Sequence, residues 1–123
     1  MSIPLPTGRA AIAQATDLAD GQGRRFEVGK GPTRLDGVVV RFAGRFYAYV
    51  NRCKHMPMPL DLVHNHFFTG NKKYMRCQSH GATYDPATGR CLAGPCRGKR
   101  LDPLPIAVEG GTIYYAGPDE STT

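Results

Sequence analysis

The chain has no tryptophan, no long apolar run and only four cysteines among its 123 residues. A membrane-spanning helix needs about 18 to 20 consecutive apolar residues, and no window approaches that length. The opening Met1-Ser2-Ile3-Pro4-Leu5-Pro6 has no basic start followed by an apolar stretch, so it does not have the form of a secretion signal. The expected location is therefore the cytoplasm, with no membrane association. Four cysteines are few for a disulfide-stapled secreted domain; in a reducing compartment such cysteines more often bind metal or stay as thiols. With 15 Gly, 10 Pro and a mean hydropathy of -0.37, the composition is that of a turn-rich globular chain built from short elements. The length allows one domain over residues 1–123 and leaves no room for a second, catalytic one.

Acidic residues are also scarce, ten against 16 Lys and Arg, for a net charge of +6. The shortage is uneven. Residues 52–100 hold nine Lys or Arg against two acids, Asp61 and Asp85, whereas residues 101–123 hold four acids and no Lys or Arg. Such a concentration of one sign can steer an oppositely charged partner.

What is present is a grammar of short strands. Residues 24–29 and 37–43 are rich in Val and Phe, and Gly44-Arg45 leads into Phe46-Tyr47-Ala48-Tyr49-Val50, which predicts a hairpin. After Val50, Met56-Pro57-Met58-Pro59 can continue neither strand nor helix, and the stretch to Gly70 predicts a long ordered loop. Strand-like pieces return at residues 73–76, 82–84, 105–108 and 112–116, separated by Pro86-Ala87-Thr88-Gly89, Gly94-Pro95 and Gly110-Gly111. A helical turn is expected within residues 10–20, and residues 118–123 have the composition of a frayed acidic tail.

Two Cys/His pairs carry the chemistry: Cys53-Lys54-His55 and Cys77-Gln78-Ser79-His80, with residues 56–76 between them. Each follows a strand-like segment and runs into Pro or Gly. Two loops meeting at the tip of a β-structure would offer two thiolates and two imidazoles to one site. That donor set selects iron–sulfur or zinc over calcium or magnesium.

The pattern Cys-x-His, a variable gap, then Cys-x-x-His resembles the Rieske proteins. So do His80-Gly81-Ala82-Thr83-Tyr84-Asp85, Thr88-Gly89 and Gly94-Pro95, which match that family's second loop and its proline-bearing third loop. The resemblance runs over roughly residues 35–116. It implies an all-β fold, a Rieske-like antiparallel sandwich or barrel with a small cluster-binding part at about residues 51–97. It also implies one [2Fe-2S] cluster held by Cys53, His55, Cys77 and His80, with both cysteines on one iron and both histidines on the other.

Zinc competes for the same four atoms. Zinc sites of two cysteines and two histidines usually keep like ligands together and place the histidines on a helix. Here each pair is mixed, and Pro57, Pro59, Gly70 and Gly81 leave no place for a recognition helix, which also argues against nucleic-acid binding. Rieske proteins of cytochrome bc complexes carry an extra cysteine in each loop; the matching positions here are Met58 and Ser79. The resemblance is thus to the soluble ferredoxins that serve ring-hydroxylating oxygenases, or to the small subunit of nitrite reductase. It implies an electron carrier rather than an enzyme in its own right, with redox partner proteins docking through an acidic surface of their own. Ala82 stands where high-potential relatives have a serine donor, whereas the Tyr84 hydroxyl and the basic surroundings push the other way. The expected potential lies in the low to middle part of the Rieske range, about -150 to +300 mV.

Other residues take plainer roles. Cys91 and Cys96 are expected to be partly buried thiols, and His64 and His66 solvated loop residues. Met56, Met58, Phe67 and Phe68 are expected to pack the loop or shield the cluster. Lys54, Lys72, Lys73, Arg76, Arg97, Lys99 and Arg100 form either an ordinary solvated face or the docking face for an acidic partner.

Overall fold

The computed structural model describes residues 5–29, 31, 34–51, 67–69, 73–76, 82–94 and 98–117. Among these the chain forms nine strands: β1 (Arg9–Gln14), β2 (Gln22–Val28), β3 (Leu35–Phe42), β4 (Arg45–Val50), β5 (Met75–Arg76), β6 (Thr83–Tyr84), β7 (Cys91–Ala93), β8 (Ile106–Glu109) and β9 (Thr112–Ala116). They pair antiparallel into three sheets, in the orders β1-β9-β8, β2-β3-β4 and β5-β6-β7. The all-β expectation holds.

Val38, Val39 and Val40, consecutive in β3, are wholly buried. Successive strand side chains point to opposite faces, so β3 is covered on both sides and its sheet is the middle layer. On one side Phe26, Val28, Val39, Ala48 and Val50 join Leu104, Ile113 and Tyr115 in a core shared with the β1-β9-β8 sheet. On the other, Val38, Val40 and Tyr49 join Phe67, Met75, Ala82, Tyr84, Cys91 and Leu101, a core shared with the β5-β6-β7 sheet. The β3–β4 hairpin turns through Ala43-Gly44, both at positive φ (52° and 78°), the left-handed pair that suits strand twist.

The third sheet has strands of two, two and three residues, too short to persist unsupported. Support comes from residues 99–104. Leu101 N–H donates to Gly89 O (2.7 Å) and Cys91 N–H to Lys99 O (2.8 Å), while Val50 N–H donates to Asp102 O (2.8 Å) and Leu104 N–H to Ala48 O (2.8 Å). One segment thus stitches the edge of β7 to the edge of β4.

The expected helical turn within residues 10–20 reduces to a single 3-10 turn, Ala15–Asp17. The residues before it form β1, paired with β9 across a bulge between Ala11 and Ala13. Alanine-rich and largely exposed, β1 carries little local strand signal; its partner supplies the hydrogen bonds. Among the described residues no helix is long and apolar enough to cross a membrane.

Candidate metal centre

Cys53, His55, Cys77 and His80 lie outside the described residues, as do Lys54, Met56, Met58, His64, His66, Lys72, Cys96, Arg97 and the tail. The frame from which both pairs depart is described. Asn51 stands two residues before Cys53, Arg76 directly precedes Cys77, and Ala82 follows His80 by two.

Asn51 is a buried polar residue, and a buried amide must find partners. Its N–H donates to Asp36 O (2.9 Å) and its Nδ2 approaches Asp36 Oδ2 at 3.5 Å, which also accepts from Arg25 Nη2 at 2.8 Å. The Arg25–Asp36 pair is about one-third exposed, so its contribution is modest. Its effect is positional: the chain leaving β4 toward Cys53 is tied to β3 directly and, through Asp36, to β2.

The second pair is framed by the core itself. Met75, Ala82 and Tyr84 are wholly buried. Arg76 N–H donates to Phe67 O and Thr69 N–H to Tyr74 O, both at 2.8 Å, so residues 67–69 run beside β5. Phe67 is therefore a core residue of this half, and Phe68 packs partly buried against it. A methyl group on Gly94 would come within 2.9 Å of Ala82 Cα, and Gly94 sits at φ +100°. The segment leading to Pro95 thus lies flush on the segment that follows His80, at a position only glycine fills. Gly89 is constrained likewise: at φ +76°, an added Cβ would meet the Tyr49 ring at 2.8 Å.

Tyr49 ties this half to β4. Its hydroxyl donates to Pro86 O at 2.7 Å. Burial first, and the nearby Asp85 carboxylate second, push its phenol above the ordinary value. Burial likewise raises Tyr115, whose hydroxyl donates to Pro6 O at 2.6 Å in the other half. Cys91 is a buried thiol, as expected, with Sγ 3.4 Å from Ala93 O.

Among the described residues no group of three or more His, Cys, Asp or Glu is placed to hold a metal. The donor set the sequence offers is two thiols and two imidazoles, which suits an iron–sulfur centre, and the glycine cradle at Gly94 and Ala82 suits loops held tightly against one another. Sequence reasoning missed the Arg25–Asp36–Asn51 tie and the facing of Arg90 and Arg100 across a β-bridge; both depend on strand register.

Comparison with known proteins places these features. Residues 8–108 match the Rieske [2Fe-2S] domain family. Over 79 residues the chain is 35% identical to the oxidoreductase NdmD of Pseudomonas putida, an alignment covering 58% of this chain but 13% of that protein. The fold is similar to a chain of the complex of reduced oxygenase and oxidised ferredoxin in carbazole 1,9a-dioxygenase (25% identity, TM-score 0.70, 91% of this chain and 95% of that one). It is also similar to the ferredoxin of carbazole 1,9a-dioxygenase from Nocardioides aromaticivorans IC177 (24% identity, TM-score 0.70, 90% and 99%). The family match over residues 8–108, on a frame whose strand ends flank two Cys/His pairs, identifies the protein as a member of the Rieske [2Fe-2S] domain family, whose name states the cluster it carries.

Proposed function

We propose that Cys53, His55, Cys77 and His80 hold the cluster and that the chain is a ferredoxin, passing one electron at a time to a partner oxygenase. The observation that carries this reading is the shared core of Tyr49, Met75, Ala82 and Tyr84. It fixes in one unit the strand ends adjoining both Cys/His pairs, as a centre ligated from two loops requires. The cluster, when bound, supplies reversible uptake of a single electron. The chain's own residues do the positioning: Asn51 and Asp36 anchor the approach to Cys53, and Ala82 against Gly94 anchors the departure from His80.

The alternative, a small subunit of a larger oxidoreductase such as nitrite reductase, is separated from a free-standing carrier by purification: isolation of the chain alone as a stable, soluble holo-protein is the outcome the carrier reading expects. In this reading residues 1–123 make a single domain whose cluster-binding part is about residues 51–97, and the protein works in the cytoplasm, a compartment that keeps cysteines reduced.

The test is the visible and reduced-state EPR spectrum of the purified protein, with iron and sulfide analysis. A red-brown protein with a rhombic signal of low average g is expected; a colourless protein with one tight zinc would remove electron transfer. Cys53→Ala and His80→Ala are expected to abolish the intact cluster, and His64→Ala to leave it unchanged. Film voltammetry is expected to place the midpoint in the low to middle part of the range of about -150 to +300 mV.

A further inference from the structure

Antiparallel pairing sets Arg90 directly opposite Arg100. Residues so paired project to one face, with Cβ atoms about 5 Å apart. Leu92, two residues along β7, shares that face, while Cys91 and Leu101 are buried on the other. Arg90, Lys99 and Arg100 are exposed, and Leu92 keeps 43% of its surface open. Together with Thr88 and Gly98 they line an open groove of about 450 Å³. Its acidic lining residue is Asp85, whose Oδ1 accepts the Ala87 N–H at 3.0 Å.

Like charges facing each other across strands are destabilising, and no ion pair among the described residues offsets them. Five arginines elsewhere are matched with acids: Arg9 with Glu109, Arg24 with Asp17, Arg25 with Asp36, Arg34 with Glu27 and Arg41 with Asp20. Among the described residues, no ion pair includes Arg90, Lys99 or Arg100; Arg100 Nη2 donates to the neutral Thr88 carbonyl at 3.1 Å. An exposed leucine among uncompensated guanidinium groups has the make-up of an interface, an apolar centre with a charged, arginine-rich rim.

We propose that this groove docks an acidic segment of the redox partner, with carboxylates engaging Arg90 and Arg100 and an apolar side chain covering Leu92. The identity of the partner rests on the electron-carrier reading; the chemistry of the surface does not. Guanidinium groups take carboxylates bidentately, which gives orientation as well as attraction. The groove borders β7, which pairs with β6, and β6 begins three residues after His80. A partner seated here would therefore lie against the half of the fold that bears the second Cys/His pair.

The probe is a dye-labelled peptide of four glutamates around one leucine, titrated into the holo-protein by fluorescence anisotropy, with a lysine-for-glutamate twin as control. The acidic peptide is expected to bind and the basic twin not to. Arg90→Glu/Arg100→Glu should weaken binding at least about tenfold, and binding should fade between roughly 20 mM and 300 mM salt. Leu92→Ala should also weaken it. Arg24→Glu/Arg45→Glu, carrying the same net charge, should change it less than about twofold, since exposed charges elsewhere contribute little. Equal binding of both peptides, or an equal loss in the control variant, would overturn the proposal. The visible spectrum of each sample separates the two ideas: a colourless protein that still binds through Arg90 and Arg100 sinks the carrier reading alone, and a coloured one without charge preference sinks the groove alone.

Discussion

Gly94→Ala tests how tightly the loop after β7 is locked onto the segment following His80. Two costs add. A side chain at positive φ costs an L-residue about 1–2 kcal/mol, and Gly94 sits at +100°. The new methyl would stand 2.9 Å from Ala82 Cα and 3.4 Å from Ala82 N, backbone atoms that cannot rotate away. Forcing such an overlap against the backbone of the buried Ala82 costs about a further 1–3 kcal/mol. Gly98 is the matched control, at φ +90° with nothing within 4 Å of its ideal Cβ. Gly98→Ala therefore carries the first cost and not the second.

At this chain length about 1 kcal/mol shifts a thermal midpoint by about 4 °C. Gly98→Ala should lower the midpoint by about 4–8 °C and Gly94→Ala by about 8–20 °C. Bound clusters make unfolding irreversible in many proteins, so scans must be run at one rate and backed by the rate of visible bleaching in fixed denaturant. The bleaching rate should rise in Gly94→Ala well beyond the control, because Ala82 is two residues from His80. Equal midpoints and equal bleaching in the two variants would refute the claim that the Gly94–Ala82 contact holds the site.

Three other outcomes follow from the same contacts. Tyr49 and Tyr115 hold their protons to higher pH folded than unfolded. Their contribution is therefore complete below about pH 10, the unfolded value, and is lost as pH rises toward the folded values. Tyr49→Phe should lessen that alkaline loss in urea titrations while costing about 1–3 kcal/mol near neutrality, where Pro86 O is left without its donor; an unchanged alkaline slope would refute this. Phe67→Ala, a cavity in the core under β5, should cost about 3–5 kcal/mol by equilibrium unfolding; a loss below about 1 kcal/mol would mean the ring is not packed there. Chelating the metal out should abolish amide-exchange protection at β5, β6 and β7 while β3 stays protected; uniform loss across all three sheets would show that the halves do not separate.

The strands legible in the sequence were those with their own pattern: Val38-Val39-Val40, Phe46 to Val50 and Thr112 to Ala116 all lie in strands. Those that escaped are held by partners far along the chain. Arg9–Gln14 is alanine-rich and pairs with Thr112–Ala116, and Cys91–Ala93 is three residues long. The Cys/His pairs were legible because the chemistry dictates residue type and spacing. The glycines were legible as motifs only; that Gly89 yields to the Tyr49 ring and Gly94 to Ala82 needs coordinates. The facing of Arg90 and Arg100 is a matter of register, which no pattern in Gly98-Lys99-Arg100-Leu101-Asp102-Pro103 encodes.

That unpatterned segment is what makes the two halves one device. A sheet of two- and three-residue strands has too few ladder bonds to hold a site rigid, whereas β2, β3 and β4, of seven, eight and six residues, form a sheet that can. Residues 99–101 bond to the β7 edge and residues 102–104 to the β4 edge. Leu101 enters the core on the cluster side and Leu104 the core on the opposite side. The four bonds that join it to β7 and β4 are main-chain, so the stitch tolerates many side chains, and those facing outward are released for other work. Arg100 faces the proposed docking groove from the same strap whose Leu101 is packed beside Tyr84 and Met75 in the core. A partner gripping Arg100 thus acts on a segment anchored in both cores, which lets the protein bind through this surface without loosening the strands that adjoin the Cys/His pairs.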